Sequence, residues 1–192
     1  MNKSTFSLLF AILLSLPVQA EWTLNNDGSS LSFVSTKAIN TAEVHKFLTL
    51  EGSIDAAGKV QVSIALASLD TGIELRDERM GEMLFETGKF EAATMTASVD
   101  AEMLNGLAPG DSKGVTVDGE LALHGEAAEM SFDVLVVRTG ESQLMVISER
   151  PVVVNAQRFR LTQGLDKLRE IAGLPSIGTA VPVSFILSFD LQ

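Results

Sequence analysis

Alternation of apolar and polar side chains constrains this chain more than any other feature. Over residues 59–66, Val60, Val62, Ile64 and Leu66 fall on one side, and Gln61, Ser63 and Ala65 fall on the other. A period of two marks a strand with one apolar face. The pattern changes at Asp70-Thr71-Gly72. Ile73, Met80, Met83 and Leu84 then recur at a looser helical spacing among charges. Gly88 closes that segment, and a new strand starts near Phe90.

The same alternation returns along the chain. Trp22-Thr23-Leu24 reads as a short strand and Asn26-Asp27-Gly28 as a turn. Residues 29–37 alternate with Leu31 and Phe33 on one face. Residues 43–54 read as one long strand with an unclear phase and a bulge near Phe47-Leu48. Ala93, Met95, Ala97 and Val99 alternate within 89–100. Asn105-Gly106 and Pro109-Gly110 mark an irregular polar connection. Val115, Val117, Leu121 and Leu123 alternate within 114–124, and Gly125-Glu126 reads as a type II′ hairpin turn. Met130, Phe132, Val134 and Val136 return, and the next strand begins near Met145 and runs through Val154. Residues 161–172 read as a second helix, with an apolar stripe of Leu161, Leu165, Leu168, Ile171 and Ala172, closed by Gly173 and Pro175. Val181, Val183, Phe185, Leu187 and Phe189 form the apolar face of the last strand.

The reading is therefore all-β: about eight long strands, two short helices and no repeat. Tight turns make the sheet antiparallel. An open sheet of this size would leave reactive edges. Closing it into a barrel removes them, and a two-sheet sandwich is the competing arrangement.

Residues 1–20 carry Lys3, an apolar run over 6–16, and Val18-Gln19-Ala20 before a cleavage point. This pattern predicts a cleaved export signal, with the mature domain at 21–192. The apolar run is short for a membrane span, so no stable span is expected once the signal is removed. The chain has no cysteine, and its mature length suits one domain with a full core. These features predict a Gram-negative periplasmic location. The formal charge of −11 becomes −12 without the leader's single cation. That argues against nucleic acid and anionic membrane surfaces as partners.

Signals for catalysis and metal binding are weak. His45 and His124 are the only histidines, both in expected strands, and no ligand spacing surrounds them. There is no nucleophile elbow, phosphate loop or H-E-x-x-H motif. No catalytic residue, metal or cofactor is assigned. Arg76 and Arg79 lie three apart on the expected first helix and share a face. They are candidates to contact a polar head group, and Arg76 and Asp77 equally well tie the helix to the barrel rim. Several inward candidates are modest in size, including Val62, Ala93, Ala97, Val117 and Val134. A barrel of about eight strands either fills its interior or holds one ligand, and composition leaves both open.

Ser68-Leu69-Asp70-Thr71-Gly72, Arg76-Asp77 and Leu123-His124-Gly125 resemble the YceI-like family. Trp22-Thr23-Leu24, the strand around Phe33, the run 47–52 and Val181-Pro182-Val183-Ser184-Phe185 are similar too. The likeness covers essentially the whole mature chain. It departs at Lys89-Phe90-Glu91, where the family often has proline after the phenylalanine. The resemblance implies an exported, lipocalin-like antiparallel barrel that binds a polyisoprenoid or similar long-chain lipid. The family's ligand contacts follow no fixed motif, so the expected lumen residues rest on strand alternation: Phe33, Val62, Ile64, Met95, Val117, Leu121, Phe132, Val134, Phe185 and Phe189. The alternatives are a hydrolase or isomerase for a small hydrophobic substrate, using His45 or His124 with a carboxylate, and a packed stress-response interaction module. A homodimer is left open.

Overall fold

The structure, a computed structural model, describes residues 21–192. The expected leader lies outside the described residues. Eleven strands are present there: β1 (Trp22–Lys37), β2 (Thr41–Phe47), β3 (Leu50–Ile54), β4 (Lys59–Ala65), β5 (Leu69–Asp70), β6 (Ala92–Ser98), β7 (Ser112–Leu123), β8 (Glu126–Gly140), β9 (Gln143–Ser148), β10 (Val152–Asn155) and β11 (Ala180–Leu191). Eight of them close a ring in the order β11-β9-β8-β7-β6-β4-β3-β1, and β1 pairs back onto β11. Every pairing is antiparallel. The arrangement is a closed barrel, not a sandwich. β2, β5 and β10 extend the wall beyond the ring at one end, here called the upper end.

The long first strand explains how the ring closes. Asn26-Asp27-Gly28 does not reverse the chain. It forms a bulge within β1, between the pairs Asn25↔Ser188 and Ser30↔Ile186. A Cβ on Gly28 would lie 2.9 Å from that of Ser188, so only glycine fits this approach. Below the bulge β1 pairs with β3, and above it with β2. Residues 43–54 are accordingly two strands. Across the break at Leu48-Thr49 the inward phase moves from His45 and Phe47 to Leu50 and Ile54. Side chains satisfy the interrupted backbone. Asn26 Oδ1 accepts from Leu50 N–H at 2.7 Å, and Ser68 Oγ accepts from Thr49 N–H at 3.0 Å.

Other connections also differ from expectation. The β7–β8 turn is centred on His124-Gly125, with φ of +53° and +79°, the backbone a type I′ turn requires. His124 is therefore a turn residue, not a strand residue. Residues 143–155 form two strands, parted around Pro151. The connection after β6 contains a short helix, α2 (Ala101–Gly106), counted in chain order after α1 (Glu74–Met80). Asp100 caps it, accepting from the Glu102 and Met103 amides. The first expected helix is α1 followed by a π-helical turn, Gly81–Phe85. The last, α3 (Thr162–Ile171), ends at Gly173 with φ of +62°, and the Leu174 amide donates to Arg169 O.

Candidate ligand-binding lumen

Alternation brings the apolar faces of the ring strands together inside the barrel, and they leave two voids. The upper cavity has a volume of about 170 Å³. Its wall includes Phe33, Val62, Ile64 and Leu121 from the ring. Val152 and Val154 of β10 and Val181 and Val183 of β11 continue that wall upward. The lower cavity has a volume of about 50 Å³, with Ile54, Val117, Val134 and Phe189 in its wall. Met95, Phe132, Phe185 and Leu187 line both, and so form a waist between them. Each of the ten expected lumen residues thus lines one void or both. Sequence reasoning missed the helical side chains at the mouth and the β10 valines. The π-helical turn delivers Leu84 and Phe85, α1 delivers Met80, and α3 delivers Leu165.

The two helical segments close the upper end as a lid. They meet at Gly164 of α3, where a Cβ would lie 2.4 Å from Met83 O and 2.7 Å from Leu84 Cα. The π-helical turn widens the helix locally, and both Leu84 and Phe85 are buried. Phe85 meets Phe47 edge to face at 5.7 Å. At the opposite end, Trp22, Leu104 of α2 and Phe189 are buried. The Arg138 guanidinium covers the Trp22 ring at 4.6 Å.

The wall changes from hydrocarbon to polar on its way to the mouth. On the inner faces of β1 and β2 the facing pairs run Leu31↔Phe47, Phe33↔His45, then Ser35↔Glu43. Among the described residues, Ser35 is the only hydroxyl on the upper cavity wall. Its Oγ lies 2.8 Å from His45 Nε2. Glu43 pairs with Lys37 at 2.9 Å and with Arg76 at 2.8 Å. The Lys37 hydrogen bond, with the Arg76 charge, holds its carboxyl below the usual range.

Arg76 also donates to Thr71 O at 2.6 Å, and Asp77 accepts from the Thr71 amide at 2.9 Å and its hydroxyl at 2.5 Å. The corner 68–72 therefore anchors α1 to the barrel. Both terminal nitrogens of Arg76 are engaged there, and its Nε is buried without a partner among the described residues. Arg79 is half-buried on α1 and makes no side-chain ion pair among the described residues. Neither arginine lines a cavity.

The two histidines lie in different places. His45 is 2 % exposed on β2. His124 sits at the β7–β8 turn, with Nε2 2.7 Å from Glu86 and Nδ1 3.2 Å from Phe159 O. No cluster of potential metal ligands occurs among the described residues. No helix among them is long and apolar enough to cross a membrane.

A closed antiparallel barrel with an apolar interior, a packed floor and a helical lid defines a lipocalin-like class of protein. Within it, this chain belongs to the YceI-like family, whose domain model matches residues 22–189. A polyisoprenoid binding domain from Saccharophagus degradans, implicated in plant cell wall breakdown, is 37 % identical with a TM-score of 0.87. The match covers 89 % of this chain and 98 % of that one. BcnA of Burkholderia cenocepacia shares the fold at 21 % identity and a TM-score of 0.66, covering 86 % and 98 %. A Campylobacter jejuni YceI protein does so at 15 % identity and 0.51, covering 77 % and 84 %. No curated protein sequence matches the chain significantly.

Proposed function

We propose that this protein binds a polyisoprenoid or another long-chain amphiphilic lipid, with the tail in the lumen and the head at the upper mouth. The observation that carries the reading is the upper cavity, whose wall is hydrocarbon except at the rim. The S. degradans relative, named as a polyisoprenoid binding domain, supports the ligand class. A void of about 170 Å³ is close to the engineered cavity of roughly 150 Å³ that admits benzene. It seats part of a tail, and a longer one requires the walls to yield. Met80, Met95 and Met130 line it, and unbranched methionine side chains repack readily. Each buried methylene contributes about 0.8 kcal/mol gross, which the entropy of association reduces.

The protein acts in this reading as a carrier, store or shield, not as an enzyme. The proposed compartment is the periplasm, reached through the signal at 1–20. Mass spectrometry of lipid extracted from protein purified out of its native compartment tests the ligand. Affinity for a series of alkyl probes should rise with tail length until the lumen is full. Protein that carries no extractable lipid and binds no long-chain probe would overturn the reading. N-terminal sequencing of exported protein should begin at Glu21.

A further inference from the structure

We propose that His45 is an acid-sensitive latch that holds the lid over the lumen and frees it when the imidazole takes up a proton. The inference rests on the lumen-binding reading above and adds its regulation. Among the described residues, His45 Nδ1 and Arg76 Nε are the buried side-chain polar atoms without a hydrogen-bond partner. They belong to one cluster, where α1 meets β2. The imidazole is joined to the lumen through its other contacts. Nε2 bonds Ser35 Oγ, which lines the upper cavity, and the ring packs on Phe33 at 5.2 Å, also in the cavity wall.

The charged groups around His45 are Lys37 of β1, Glu43 of β2, and Arg76 and Asp77 of α1. Neither carboxylate is free. Glu43 is shared by Lys37 and Arg76, and Asp77 accepts twice from Thr71. A proton on His45 therefore creates a buried charge near a guanidinium; Glu43 and Asp77 offset it only in part, since Glu43 already serves two cations and neither carboxylate hydrogen-bonds the imidazole. The relief available is for α1 to move off β2 and admit water. That helix is a weak point, since it spans seven residues and buries only Met80, and Leu75 on it is exposed.

The sign follows from burial, which holds His45 below its ordinary value, with the Arg76 charge acting the same way. A base whose folded value is depressed contributes its full stability above the free value. It loses that stability as pH falls from about 6.5 through the folded value. The lid is therefore held at neutral pH and loosened in mild acid. The loss is about tenfold for each unit by which folding depresses the imidazole.

Two measurements between about pH 7.5 and about pH 5 test this on the mature chain. The first is dissociation of a long-chain pyrenyl alcohol, whose head group does not titrate. The second is hydrogen exchange of the amides of 74–85 in the ligand-free chain. Wild type should release the probe faster and exchange faster on acidification. His45→Gln should flatten both responses. Arg76→Met should move the midpoint to higher pH, which a purely structural role for His45 would not do, and it serves if His45→Gln fails to fold. Equal pH slopes in wild type and His45→Gln overturn the latch, as does acid-insensitive exchange over 74–85. A probe that binds at no pH sinks the lumen reading instead, while the exchange experiment still decides the latch.

Discussion

The two ends of this barrel are built from the same alternating strands, yet one is packed and the other hollow. At the lower end Trp22, Ile54, Leu104 and Phe189 converge and leave about 50 Å³. At the upper end the void is about 170 Å³, and the closing side chains come from separate helices. Alternation decides which side chains point inward, and the elements laid across each end decide whether they meet. Below, the strands converge with a short helix that Asp100 caps. Above, the wall is extended by β2 and β10, and the lid rests on a backbone contact at Gly164. A packed floor with a separate helical cover is an arrangement that suits the tail binding proposed above.

The largest expected effect separates the ends by stability. Phe189 is 1 % exposed among packed neighbours, and Phe189→Ala should cost about 3–5 kcal/mol in urea unfolding. Phe33→Ala should cost less, because Phe33 already borders the larger void. Equal losses would erase the distinction between the ends. Next is the lid. Gly164→Val places methyl groups where even a Cβ clashes with Met83 and Leu84. It should cost about 1–3 kcal/mol and speed release of a bound long-chain probe. A release rate unchanged from wild type would mean that tails do not pass this lid.

A smaller effect should appear in chain-length preference. Val62→Trp intrudes on the upper cavity and should shorten the longest tail accepted. Val134→Trp intrudes below the waist, so short tails should bind as before and only the longest should be rejected. Competition binding across an alkyl series reads both. Identical profiles for the two variants would show that the waist of Met95, Phe132, Phe185 and Leu187 does not divide the lumen.

The residues reveal the barrel wall better than its ends, for a physical reason. Alternation is a local property of a strand, so the inner faces of β4, β6, β7, β8 and β11 are legible directly. The bulge at 26–28 was not, since Asn-Asp-Gly satisfies a reversal and a bulge equally well. The irregularity near Phe47-Leu48 shows in the alternation, but that it parts two strands does not, because an exposed Val44 and a buried His45 invert the usual pattern. Asp100 followed by Ala-Glu-Met-Leu carried a usable cap signal for α2. Nothing local announced the π-helical turn, since its geometry depends on fitting Leu84 and Phe85 between the barrel and α3. The rim cluster was half legible. Arg76 and Asp77 stood out as charges, but the burial of His45 depends on β2 folding under α1.

The smallest expected effect probes the rim of the hollow end. Ile39, at the β1–β2 turn, has φ of +73° and is 77 % exposed. A left-handed conformation costs an L-residue about 1–2 kcal/mol, and β-branching makes it worse. The turn is held by its neighbours, because the Ala38 amide donates to Ser176 O at 3.0 Å and the Gly178 amide to Thr36 O at 2.7 Å. Asparagine tolerates this conformation, so Ile39→Asn should stabilise the protein by about 1 kcal/mol in thermal unfolding. Probe affinity should not change, since Ile39 lines neither cavity. A gain in stability with unchanged affinity confines binding to the lumen. A gain in stability with slower uptake from lipid vesicles would instead make the exposed isoleucine part of the entry route, and extend the working end of the barrel beyond its lid.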